Sequence, residues 1–223
     1  MEHTLLAADV RKELQKTAVL NQISLSLTGG QIYGFVGING SGKTMLFRAL
    51  SGLIEVSGGT IRLDGMRPQG ENGSRPKIGL MIENASLYPQ LTGFQNLKYL
   101  AQIRGTAKDS KIREALSAVG LQPDDRRIFR KYSLGMKQRL LLAQAVMEEP
   151  DFLFLDEPTN ALDGEGVERA RRLIRQAAKR GAVVLLASHN AEDIEILCDE
   201  IYEMKNGCIT GQRKKTEEKQ AGK

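Results

Sequence analysis

Eight consecutive residues, Gly37-Ile38-Asn39-Gly40-Ser41-Gly42-Lys43-Thr44, match the spacing G-x-x-x-x-G-K-[ST] of a loop that cradles phosphate. Glycines at 37, 40 and 42 open backbone conformations closed to other residues. The stretch through Asn39, Gly40, Ser41 and Gly42 can therefore turn successive N–H groups toward phosphate oxygens at the positive end of a helix. Lys43 would neutralise charge on the β- and γ-phosphates of a nucleotide, and Thr44 would ligate Mg²⁺. A second segment, Phe152-Leu153-Phe154-Leu155-Asp156-Glu157-Pro158, reads as a buried strand ending in two adjacent carboxylates. Asp156 can hold Mg²⁺ through its water shell. Glu157, facing the other way, can orient or deprotonate a water attacking the γ-phosphate. The plain alternatives are a glycine-rich turn with a chance Lys-Thr and an acidic loop capping the next helix. Each loses ground because the other segment is present.

Those residues need strands and helices to hold them. Residues 31–36, QIYGFV, form a short apolar run before the glycine-rich loop, and TMLFRAL after it favours a helix, giving strand, loop, helix. Residues 23–27 and 60–65 alternate in polarity, as strands of an antiparallel sheet do. From 86 to 149 the pattern turns helical. Thr92 and Gln95 have capping-box spacing, Asp109 is placed to cap KIREALSAV, Gly120 to close it, and LGMKQRLLLAQAVMEE follows. Beyond Pro150 apolar strands return at 152–155 and 183–187 around a helix from about 165 to 179, the signature of a parallel sheet covered on both faces. A hairpin is expected at 201–204 and 208–210 around Asn206-Gly207.

The 223 residues suffice for one large domain. Hydrophobic residues are 41% and charged residues 26%, with no apolar run long enough to span a bilayer, and the start lacks a secretory signal pattern. A net charge of +5 suits several anionic partners, but aromatic residues are only 5% with no Trp, which argues against a base-stacking nucleic-acid platform. Cys198 and Cys208 suggest neither a disulfide framework nor, with His3 and His189, a zinc spacing, and both are expected to be small buried side chains.

The helical stretch ends in Tyr132-Ser133-Leu134-Gly135-Met136-Lys137-Gln138-Arg139, which resembles the LSGGQ signature of ATP-binding-cassette ATPases. The phosphate loop, the Asp156-Glu157 strand, Ala161-Leu162-Asp163 resembling the D-loop, and His189 resembling the switch histidine extend that resemblance over nearly the whole chain. It implies an α/β fold: a P-loop core with a mixed, largely parallel sheet, an N-terminal antiparallel β subdomain, and a helical insertion carrying the signature. Residues 1–223 would be one nucleotide-binding domain, with 1–85 and 150–212 as core, 86–149 as helical subdomain and 213–223 as a charged tail. Three departures stand out. The signature reads SLGMK but keeps Ser133 and Gly135; Glu83 occupies the place of the Q-loop glutamine; Leu14 falls where the adenine-stacking aromatic is expected.

The resemblance implies ATP and Mg²⁺ as ligands. Lys43, Glu83, Glu157 and His189 would serve catalysis, Thr44, Asp156 and Glu83 would hold the metal, and Ser133, Gly135 and Asp163 would join the loop in binding nucleotide. Two cassettes, identical or not, would close head to tail around two MgATP. Such a motor drives a separate integral membrane permease, received on the surface from residue 83 to about 100, from the cytoplasmic face of the cell membrane. The segment IGLMIENASLYPQLTGFQNL with SLGMKQRL is most similar to bacterial bacitracin-, lantibiotic- or multidrug-exporter ATPases. The alternative is a cassette ATPase acting as a regulatory or mechanochemical switch without a transporter; no nucleic-acid partner is expected.

Overall fold

Strand β1 (Thr4–Leu14) and strand β2 (Thr17–Thr28) form an antiparallel hairpin whose two-residue turn, Gln15-Lys16, has positive φ at both positions, matching the right-handed twist of the ribbon. The computed structural model describes residues 2–82, 86–104 and 108–215. Leu5 and Ala7 of β1 point inward, and Asp9 at φ 51° then inserts a bulge so that Val10 is the next inward residue. That phase slip is why β1 escapes a search for strict alternation. Strand β3 (Ile32–Val36) leads to the glycine-rich loop and helix α1 (Lys43–Leu50), and strand β4 (Gly58–Leu63) returns to pair with β1, giving the antiparallel order β2-β1-β4.

Strand β5 (Ile78–Met81) precedes helices α2 (Gly93–Arg104), α3 (Asp109–Ala118) and α4 (Leu134–Val146) of the insertion. The α2 capping box is made: Gln95 N–H donates to the Thr92 hydroxyl at 3.2 Å and Thr92 N–H to the Gln95 amide oxygen at 2.9 Å. Asp109 does not cap α3. Lys108 holds that position, and Asp109 lies in the first turn, where the helix dipole favours its charge and Lys98 reaches it at 2.9 Å. Gly120, at φ 78°, does end that helix.

Strand β6 (Phe152–Asp156), helix α5 (Gly164–Lys179), strand β7 (Val183–Ala187), helix α6 (Ala191–Leu197) and the hairpin of β8 (Glu200–Lys205) with β9 (Cys208–Lys214) complete a sheet of order β5-β6-β7-β3-β8-β9. Within it only β9 runs antiparallel. β6 shows why its sequence is uniformly apolar. Phe152 and Phe154 pack with Phe35, Phe47 and the antiparallel sheet, while Leu153 and Leu155 face the opposite core with α4 and α5.

Two expectations are corrected at the C-terminal hairpin. Arg213 and Lys214, read as tail, pair with Ile201 and Glu200 inside β9, because the edge of β8 offers a ladder that outlasts the apolar residues. Cys208 is only half-buried, since β9 lies at the sheet edge, whereas Cys198 is buried and burial pushes its thiol up to about 12.

Candidate nucleotide site

A cleft of about 880 Å³ opens where β3 and β6 end and α1 begins. The phosphate loop forms its floor and needs its glycines. A Cβ at Gly37 would stand 2.3 Å from the Met204 carbonyl oxygen, and Gly42, at the α1 cap with φ 110°, lies in the left-handed region. The Lys43 ammonium is held over its own loop, donating to the Gly37 carbonyl at 2.7 Å and the Ile38 carbonyl at 3.3 Å. The first-turn N–H groups of α1 have no carbonyl one turn earlier within the helix, so the dipole and donors face the same floor. Asn39, Gly40, Ser41, Gly42, Lys43 and Thr44 all line the cleft.

The Thr44 hydroxyl donates to Asp156 Oδ2 at 2.5 Å, so the end of β6 meets the start of α1 through two hard oxygen donors. Among the described residues no cluster of three His, Cys, Asp or Glu could enclose a metal ion alone. Two protein oxygens beside a phosphate-binding floor suit Mg²⁺, which keeps several waters and takes substrate phosphates as ligands.

Glu157 leaves the sheet at φ 52°, which turns its side chain away from Asp156 while its N–H still donates to the Ala187 carbonyl at 2.8 Å. Oε2 accepts the His189 N–H at 3.2 Å; Oε1 lies 3.6 Å from His189 Nε2, beyond hydrogen-bond reach, and is buried without another partner. Burial pushes the Glu157 carboxyl above the usual carboxylate range, the His189 N–H and ring pull against that, and the Asp156 charge adds to it. Such a carboxylate, half-dehydrated at a cleft that fits phosphate, is suited to take a proton.

The signature residues are elsewhere. Ser133 caps α4, its Oγ accepting the Met136 N–H at 3.3 Å, and neither it nor Gly135 lines the cleft. Gly135 has a reason within the chain: a Cβ there would stand 2.9 Å from the Ala161 carbonyl oxygen. Asp163 caps α5 through the Gly166 N–H at 2.8 Å and accepts from Arg139 at 2.5 Å, contacts that hold its carboxyl below the ordinary range. Glu83 lies outside the described residues. Its described flanks Met81, Ile82 and Ser86 line a second cavity of about 350 Å³, shared with Leu134, Gln138, Asp156 and Glu157.

The sequence gives no hint of several contributors. Gln138 donates to the Glu157 carbonyl at 2.6 Å, tying the helical insertion to the acidic pair. Leu14 is exposed at the end of β1 and does not line the cleft; Thr17, Ala18 and Val19 do, with Arg48, Asn206 and Gly207, and among the described residues no Phe, Tyr or Trp is in the lining. Only contact between β2, α1 and the β8–β9 turn reveals that wall.

This fold and cleft define a P-loop nucleoside-triphosphatase. Residues 20–160, more than half of the chain, match the family model described as ABC transporter. The chain is 47% identical over 199 residues to the uncharacterized ABC transporter ATP-binding protein YybJ of Bacillus subtilis, covering 89% of this chain and 91% of that one. It is 38% identical to the bacitracin transport ATP-binding protein BcrA of Enterococcus faecalis (93% and 68%) and 35% identical to the lantibiotic transport ATP-binding protein SrtF of Streptococcus pyogenes (86% and 82%). Among solved structures, the fold matches an ATP-binding subunit of an ABC transporter at TM-score 0.86 and 24% identity (95% and 90% covered). It also matches the ABC transporter cassette MJ0796 with ADP and Pi at TM-score 0.85 and 21% identity (94% and 98% covered). The chain belongs to the ATP-binding subunits of ABC transporters: it binds ATP and is an ATPase. Among the described residues no helix is long and apolar enough to cross a membrane.

Proposed function

We propose that this cassette closes with a second copy, or a similar chain, around two MgATP and so drives a separate integral membrane permease from the cytoplasmic face of the cell membrane. The observation that carries this reading is the separation of its halves. Lys43, Thr44, Asp156, Glu157 and His189 line one cleft, while Ser133 and Gly135, at the dipole-bearing start of α4, do not line it. In the closed pair Ser133 and Gly135 of one chain would face the γ-phosphate held by the other's loop, with Asp163 beside the interface.

Lys43 would move from its own carbonyls to the β- and γ-phosphates, and Thr44 and Asp156 would hold Mg²⁺, which supplies positive charge against the phosphates. Glu157 would take a proton from the attacking water as its oxygen bonds to the γ-phosphorus. The bond from that phosphorus to the β-bridging oxygen breaks, leaving ADP and phosphate. His189, held beside Glu157 by its backbone N–H, would orient the γ-phosphate and water, and Glu83 would stand at the Q-loop position near metal or water. Relatives named for bacitracin and lantibiotic transport favour an exported antimicrobial peptide or drug as cargo.

Sedimentation of Glu157→Gln with and without MgATP tests the pairing: mass should double with nucleotide. A species that remains monomeric at saturating MgATP refutes pairing with a second copy. Co-purification with a multi-span membrane protein tests the transport assignment.

A further inference from the structure

Behind the cleft lies a buried polar cluster that lines no part of it. Asp193, in the first turn of α6 and four residues after His189, is 1% exposed; Arg171 of α5 is 5% exposed. Thr159, two residues after Glu157, donates from Oγ1 to Asp193 Oδ2 at 2.5 Å. Arg171 Nε donates to Asp193 Oδ1 at 2.7 Å, and its Nη1 reaches Glu168 at 2.9 Å and Glu192 at 3.4 Å. Each Asp193 oxygen is thus committed: one to α5, one to the loop that follows Glu157.

A buried ion pair is a poor source of stability, since desolvation of two charges offsets much of their attraction and well-packed apolar residues serve as well. What this one holds is informative. The loop it grips leaves β6 with Glu157 at φ 52° and Ala161 at φ 59°, a conformation side chains adopt only when their surroundings impose it. The same carboxylate belongs to the helix that begins just after His189.

We infer that Arg171, Asp193 and Thr159 are positioning residues: Arg171 fixes Asp193, and Asp193 grips Thr159, so the segments bearing Glu157 and His189 are locked in one register. This rests on the proposed assignment of Glu157 as the group that receives the water's proton. Displacement of a reacting group by about 1 Å can cost roughly a hundredfold in rate, so the clamp acts on turnover and not on nucleotide binding.

The test compares Thr159→Val, which keeps shape and removes the hydroxyl, with Thr159→Ser, which keeps it. Thr159→Val should lower kcat roughly tenfold to a hundredfold with KM and the equilibrium Kd for MgATP nearly unchanged. Thr159→Ser should recover most of the lost rate. A purely structural role would not show the next result: in a Glu157→Gln background, Thr159→Val should cause a much smaller loss than in wild type, because one of the two groups it positions is gone. If Thr159→Val does not fold, Asp193→Asn, of the same size, is read by the same criteria. Wild-type kcat in Thr159→Val beside an inactive Glu157→Gln overturns the clamp alone, as does an equal loss in both backgrounds. A Glu157→Gln protein that turns over near wild type overturns the base assignment instead.

Discussion

Replacing Glu157 by Gln removes a proton acceptor and almost nothing else. The carboxamide oxygen can still accept the His189 N–H, now at 3.2 Å from Oε2, and the backbone anchors, Glu157 N–H to Ala187 and Gln138 to the Glu157 carbonyl, do not involve the side chain. The loss should therefore fall on chemistry: about 10²–10⁴ in kcat, or roughly 2.7–5.4 kcal/mol, with the Kd for MgATP within about twofold. Two further readouts follow from burial, which raises this carboxyl above the ordinary glutamate range. Only the carboxylate can take the proton, so wild-type kcat/KM, which follows the nucleotide-free protein, should fall on the acid side at a higher pH than an ordinary glutamate would give. Because the folded value exceeds the unfolded one, the fold favours the neutral form. That stabilisation is complete below the unfolded value near 4.5 and is lost as pH rises through the folded value. Glutamine is neutral throughout. Glu157→Gln should thus melt above wild type at pH 7.5, by about 2–4 °C for each kcal/mol, and the gap should close near pH 4. Phosphate release at saturating and, across pH, at limiting MgATP, nucleotide titration and thermal melts at both pH values check all three. A kcat within a factor of about two of wild type refutes Glu157 as the proton acceptor, and a lower melting point at pH 7.5 refutes the cost of burying its charge.

Lys43→Ala should weaken MgATP binding itself, because it removes the only lysine that lines the cleft among the described residues; equilibrium titration with a fluorescent ATP analogue reads this, and an unchanged Kd counts against the loop as the phosphate floor. Glu83→Gln should keep most ATPase activity, as expected of a residue serving at the Q-loop position; loss of hydrolysis with binding intact would assign the carboxylate a specific chemical task. Gly135→Ala drives a Cβ to 2.9 Å from the Ala161 carbonyl, and such overpacking costs about 1–3 kcal/mol. Its melting point should drop by several degrees, and an unchanged melt would mean that the loop gives way freely.

The chemistry-bearing groups were legible where contiguous residues suffice. The phosphate loop and the Asp156-Glu157 end of β6 are short motifs whose strand and helix flanks are equally local, and residues 39–44, Asp156 and Glu157 line one cleft. The P-loop sheet and helical insertion follow from uniform apolar runs and capping signals such as Thr92 with Gln95. What was missed depends on contacts that have no local pattern. Asp9 bulges β1 out of phase, so its alternation fails even though the strand is eleven residues long. The wall at Thr17–Val19 exists because β2 packs on α1 and the β8–β9 turn, while Gln138 meets Glu157 across 19 residues and Thr159 meets Asp193 across 34. Spacing in one sequence cannot join such pairs.

If each ATP site is shared by two chains, a mixed dimer of one chain carrying Lys43→Ala and one carrying Ser133→Arg will show it. One site then holds both lesions and the other joins the intact phosphate loop of the second chain to the intact signature of the first. Each homodimer of a single variant should be inactive, and each mixed dimer should recover hydrolysis up to about half the wild-type rate in the limit of independent sites, or about a quarter for a 1:1 mixture that pairs at random. A mixture no more active than either parent, while its chains demonstrably pair, or full hydrolysis by a strictly monomeric wild-type chain, would contradict the shared site.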